Sequence, residues 1–125
     1  MKYVDGFVLV IPEDKLDAYR KMAEEGAKIW RKHGALQYIE CVGEDLNPQA
    51  PGGMDVLTFP RLTGAQPGET VVFSYIMFNS REHRDEVNAN VMKDPSMSPG
   101  QSGGEEMPFD MSRMAYGGFE VIVEG

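Results

Sequence analysis

The chain has 125 residues, 42% hydrophobic and 26% charged, a composition suited to one globular domain that buries roughly two-thirds of its unfolded surface. Twenty acidic against twelve basic residues leave a net charge of −8, with the bases interleaved among acids as in Arg81-Glu82-His83-Arg84-Asp85-Glu86, so neither nucleic acid nor a membrane surface is expected as a partner. A single cysteine, Cys41, and two histidines form no cluster of metal-ligand spacing, so no disulfide, no metal and no cofactor are expected.

The opening Met1-Lys2-Tyr3-Val4-Asp5-Gly6 has no apolar signal region, and no apolar stretch reaches the roughly 18 residues of a spanning helix. With one cysteine, a reducing, cytoplasmic setting is expected. Residues 3–11 are rich in β-branched and aromatic types and predict a strand. Pro12 opens a helix, with Glu13 and Asp14 at the positive end of its dipole; it runs to about His33 and stops at Gly34. Its apolar stripe is Leu16, Tyr19, Met22, Ala23, Gly26 and Trp30.

Residues 35–46 predict a second strand, and the Pro/Gly-rich connection 47–69 holds a short extended piece at Val56–Phe59. Residues 70–78 predict a third strand. Asn79 is placed to cap a second helix, with Glu82 three residues on completing a capping-box pair. That helix ends near Lys93, before Asp94-Pro95. Val87 and Val91 are its main apolar pair, and the surrounding His83, Arg84, Asn88 and Asn90 read as facing solvent rather than a cleft. A Met-, Gly- and Pro-rich loop, 96–110, leads to a last strand at 112–123.

This order predicts an α+β, ferredoxin-like βαββαβ domain spanning residues 1–125. Its four-stranded antiparallel sheet has the order 4-1-3-2, with two helices on one face. Strands one and three are apolar on both faces. In strand one the faces read Tyr3, Asp5, Phe7, Leu9, Ile11 and Val4, Gly6, Val8, Val10. Two helices cover one face, so the other is expected to pack on a second copy in a homodimer, the alternative being partial cover by the 23-residue connection.

Several separated segments carry a family resemblance: Lys2-Tyr3-Val4-Asp5-Gly6-Phe7, Lys32-His33-Gly34-Ala35-Leu36, Pro67-Gly68-Glu69-Thr70-Val71-Val72-Phe73-Ser74, Ser80-Arg81-Glu82-His83-Arg84-Asp85, Met107-Pro108-Phe109-Asp110 and Tyr116-Gly117-Gly118-Phe119. Together they resemble the YbaA-like family of small bacterial proteins, the domain of unknown function 1428. The resemblance implies a dimeric α/β barrel. The wider superfamily includes cofactor-free monooxygenases, haem-degrading enzymes, isomerases and ligand-sensing modules. The family brings no established catalytic residues.

Four residues stand out as pocket candidates: Asp5, His83, Arg113 and Tyr116. Asp5 is a carboxylate in an otherwise apolar central strand, where burial is costly without a partner. His83 lies in the first turn of a helix, where positive charge is disfavoured. Arg113 suits a substrate carboxylate or an ion pair with Glu40, Asp110 or Asp5. His33 reads as a helix-end residue satisfying the last carbonyls, and Cys41 as a small core residue. Met92, Met97, Met107, Met111 and Met114 suggest an adaptable flap or a loop packed on a partner subunit. Gly117-Gly118 marks a bulge or a close approach of backbone. The function expected is a small-molecule-binding homodimer acting as a cofactor-independent oxygenase or isomerase. The alternative is a non-catalytic ligand-sensing or interaction module.

Overall fold

The protein is described by a computed structural model over residues 1–97 and 107–125. Strand β1 (Tyr3–Pro12) pairs antiparallel with β3 (Glu69–Phe78) along its whole length, from Tyr3 opposite Phe78 to Pro12 opposite Glu69. Strand β4 (Ala115–Glu120) lines the free side of β1, and β2 (Gln37–Val42) the free side of β3. The order β2-β3-β1-β4 is the expected one, with the apolar strands central and the strands carrying Gln37, Glu40, Gly117, Gly118 and Glu120 at the edges.

Helix α1 (Leu16–Lys32) follows a 3₁₀ turn at Glu13–Lys15, and α3 (Arg81–Lys93) follows β3. Both cover the same face. Tyr19 and Ala23 pack on Leu9, Ile11 and Val72, while Ile29, Val87 and Val91 close over Ile76 and Phe78. Ile29, absent from the expected stripe, is buried; Met22, included in it, is exposed. The two lie seven residues apart and share a shoulder of the helix. Only the C-terminal end of that shoulder is covered by α3.

The long connection differs from expectation. Val56–Phe59 forms no strand; a short helix, α2 (Phe59–Thr63), begins there instead. The Thr58 hydroxyl caps the Arg61 N–H, Pro60 sits in the first turn, and Gly64 ends the helix in the left-handed region at φ 73°. Helix α3 is capped one residue later than expected. The Ser80 hydroxyl accepts from the His83 N–H at 3.0 Å, and the His83 ring takes the place assigned to Glu82, its Nδ1 accepting from the Asn79 N–H at 3.0 Å.

The sheet face away from the helices carries Val4, Val8, Ile39, Phe73, Met77 and Phe119. At one end α2 packs on β3, where Val10 and Val71 are 2% and 3% exposed. The rest is open, with Phe73 47% and Phe119 60% exposed. Gly117 and Gly118 form no bulge. Gly117 pairs with Gly6, and the Phe119 ring lies over both; a Cβ on Gly6 would stand 3.2 Å from that ring. On the opposite face Gly118 leaves room for the Tyr3 ring, which a Cβ there would overlap. Among the described residues no helix is long and apolar enough to cross a membrane. The flap expected at 96–110 falls largely on residues 98–106, outside the described chain.

Candidate functional site

Alternation along β2 turns Tyr38 and Glu40 toward the helices and Ile39 and Cys41 away from them. Glu40 therefore sits beneath α1, where its Oε2 accepts a hydrogen bond from the Tyr19 hydroxyl at 2.7 Å. Burial pushes the Glu40 carboxyl above its ordinary range, against hydrogen bonds from the Tyr19, Tyr38 and Ser74 hydroxyls that favour the charged form. The same burial, with Glu40 alongside, drives both tyrosine hydroxyls upward and holds them protonated as donors. Gly26 makes the arrangement possible. A Cβ there would stand 2.9 Å from the Tyr38 hydroxyl oxygen, so the helix surrenders about 1 kcal/mol of propensity to let the phenol approach its backbone.

Two cavities share Tyr19, Tyr38 and Glu40 as lining residues. The inner one, about 180 Å³, lies between α1 and the sheet and is walled by Phe7, Leu9, Trp30, Ile76 and Met114, with Ser74 on its floor. The outer one, about 220 Å³, runs along α1 past Arg20, Glu24 and Val42. The site is thus an acid flanked by hydroxyl donors, with an apolar chamber on one side and a more open groove on the other.

A second polar cluster borders the inner chamber. Asp5, 1% exposed, accepts from Arg84 at 2.6 Å and from the Asn88 side-chain amide at 3.3 Å. The Asn88 carbonyl oxygen in turn accepts from the Trp30 indole N–H at 3.0 Å, which fixes one wall of the chamber. Tyr116 stacks on Phe7, ring centroids 4.9 Å apart, and backs the opposite wall. Burial and the Asp5 charge raise the Tyr116 hydroxyl above its ordinary value. Arg84 also meets Asp85 at 2.7 Å and lies 4.9 Å above the Tyr3 ring. Burial works against its charge, but the two carboxylates prevail. Arg84 and Asn88, expected to face solvent, turn inward because Asp5 needs partners.

Of the four sequence candidates, Asp5 and Tyr116 come together while His83 and Arg113 lie elsewhere. His83 packs on Phe78 and beside Gly34, whose φ of 113° brings its backbone close to the ring. Arg113 pairs with neither Asp5 nor Glu40. It grips both carboxylate oxygens of Glu69, at 2.7 and 3.1 Å, and the Gly64 carbonyl at 3.1 Å. It stands in a 3₁₀ turn before β4, not inside the strand, and so reaches toward α2. None of the four lines either cavity. His33 bonds Asp94 at 2.7 Å instead of a helix carbonyl, and Cys41 is exposed instead of packed in a core.

The residue that sequence reasoning passed over as a site is Glu40. Its signal was present: a carboxylate on the inward face of an edge strand, two positions after a tyrosine, opposite a helix stripe containing another.

Fold and cavity together define a small α+β protein with an open antiparallel sheet and an acid–tyrosine chamber beneath its first helix. Residues 2–111 match the family described as "Protein of unknown function (DUF1428)", and the chain belongs to that family. It is 47% identical, over 124 residues and 99% of each chain, to the "Uncharacterized protein YbaA" of Escherichia coli strain K12. The same figures hold for the proteins so titled from Escherichia coli O157:H7 and Shigella flexneri.

Proposed function

We propose that this protein binds a small organic molecule in the chamber beneath α1 and moves a proton on it, with Glu40 as the acid/base group. The observation that carries this reading is the elevated Glu40 carboxyl, set between two cavities and flanked by hydroxyl donors. Raising a carboxyl toward neutrality makes it a better base in its charged form and a usable acid in its neutral form. Glu40 takes a proton from carbon beside a carbonyl, and the Tyr19 and Tyr38 hydroxyls donate to the enolate oxygen that develops. Reprotonation at another carbon is an isomerisation; capture of the same enolate by O₂ is a cofactor-independent oxygenation.

The working unit in this reading is a cytoplasmic homodimer of ferredoxin-like subunits, closed into a dimeric α/β barrel through the helix-free faces. The part left open by α2, four strands wide and six to seven residues long, presents about 400 Å² in projection. Two copies bury about 800 Å², the size of a weak or transient interface. Ile39, Phe73, Met77 and Phe119 supply its apolar centre.

The experiment is hydrogen–deuterium exchange into enolisable ketones, open-chain and cyclic, followed by proton NMR in D₂O. Wild type should accelerate exchange, and Glu40→Gln should lose roughly 10²-fold or more of that acceleration. Equal exchange by the two proteins refutes the proposal. Binding without exchange favours a ligand-sensing module.

A further inference from the structure

We infer that the ligand of the inner chamber is a neutral, single-ring compound bearing one carbonyl or hydroxyl oxygen, seated with that oxygen toward Glu40, Tyr19 and Tyr38. This deepens the proposed function and rests on it.

Size sets the first bound. The chamber holds about 180 Å³. An apolar cavity of about 150 Å³ accepts benzene. One six-membered ring with a small substituent therefore fits within it, whereas two fused rings exceed that volume and protrude through its half-open mouth.

Shape sets the second. Phe7 and Trp30 belong to the walls, and each is held from behind, Phe7 by the stacked Tyr116 and Trp30 by the Asn88 carbonyl at 3.0 Å. Flat walls fixed before binding favour a flat guest, because little ordering remains to be done on association.

Charge sets the third. Among the described residues no Lys, Arg or His lines this chamber, and Glu40 is its one carboxyl. An anionic ligand would meet that carboxyl with no counterion inside the chamber, since Arg20 lies along the outer groove beside Asp17. Arg84, the nearest candidate in the adjoining cluster, is taken by Asp5 at 2.6 Å and Asp85 at 2.7 Å. A cationic ligand suits aromatic walls and a carboxylate in general. Here Glu40 already accepts from the Tyr19 hydroxyl at 2.7 Å, and burial disfavours its charged form, which weakens its hold on an ammonium. A ring oxygen is better served, since the Tyr38 and Ser74 hydroxyls line the chamber and can turn to donate to it while Tyr19 holds Glu40.

Trp30 is the single tryptophan of the chain and part of the chamber wall, so its emission reports occupancy directly. Phenol, cyclohex-2-enone, benzoate, benzylammonium and 2-naphthol are titrated into the wild-type protein, with calorimetry alongside. Phenol and cyclohexenone should bind at least about tenfold tighter than benzoate, benzylammonium or naphthol. Ser74→Val, which fills the floor, should weaken both by a similar factor; two-dimensional NMR of the wild type gives the location independently should that variant not fold. Benzylammonium or benzoate binding best overturns the neutral class, and naphthol binding equally well overturns the size. If no ring compound binds while open-chain ketones still exchange through Glu40, this inference falls and the proposed function stands. If neither occurs, both fall.

Discussion

Replacing Arg84 with methionine leaves Asp5, 1% exposed, without its counterion and with only neutral donors. The Arg84 side chain is itself 14% exposed, so the pair lies well inside the protein and solvent screens it little. Removing one partner of such a pair costs about 3–5 kcal/mol, because the other charge stays buried. Loss of the contact with the Tyr3 ring adds about 0.5 kcal/mol, and methionine restores part of the lost packing. A net loss of about 3–4 kcal/mol, against a total stability of roughly 5–15, should lower Tm by about 12–16 °C. Asp5→Asn should cost less, about 1–2 kcal/mol, since the charge goes and Arg84 keeps Asp85. The double variant should recover about 2 kcal/mol relative to the sum. Urea unfolding followed by Trp30 emission and by circular dichroism measures all three. A loss below about 0.5 kcal/mol for Arg84→Met, or strict additivity, would refute the buried-pair account.

Glu40 binds its proton more tightly in the folded chain than in the unfolded one, so its contribution to stability falls as pH rises from the ordinary carboxylate range through the raised folded value. Glu40→Gln should abolish that slope in pH-resolved melting curves, and a slope that persists assigns it to another group. Asp94 behaves oppositely: hydrogen bonds from His33, the Ser96 N–H and Lys32 hold its carboxyl well below the usual range. It stabilises above about pH 4 and loses that contribution as acid protonates it, so Asp94→Asn should flatten the acid limb of the same curves. Phe73→Glu should convert a dimer to monomers in sedimentation equilibrium, and an unchanged mass would place the interface elsewhere. Gly118→Val should displace the Tyr3 ring and destabilise by about 1–3 kcal/mol in denaturant titration.

Strand order, the C-terminal ends of α1 and α3 and the choice of central strands were legible because hydrophobic period and terminal residues depend on local sequence, whereas Pro12 closes β1 and α1 starts only at Leu16. The capping of α3 was nearly so, and moved by one residue because the His83 ring competes with Glu82 for the backward bond. Helix α2 was missed despite Thr58, Pro60 and Gly64 all standing at their proper places, since five residues give no period to read. The site was the least legible part. Asp5 was correctly singled out as costly, but its remedy lies some eighty residues away on α3. Arg113 found Glu69 because a turn, not a strand, sets its direction. Glu40 became prominent only once α1 brought Tyr19 over it, a distance that spacing along the chain does not encode.

The Arg113 clasp joins two excursions of chain. Gly64 and Glu69 close the segment between β2 and β3, and Arg113 closes the one between α3 and β4. Loop-closure entropy grows only logarithmically, so doubling either excursion costs about 0.6 kcal/mol. Insertions and deletions in both should therefore be borne cheaply while this knot persists. Cutting it with Arg113→Ala frees the turn at 64–69 from the Met111–Arg113 turn, so proteolytic sensitivity should rise at those two turns at once.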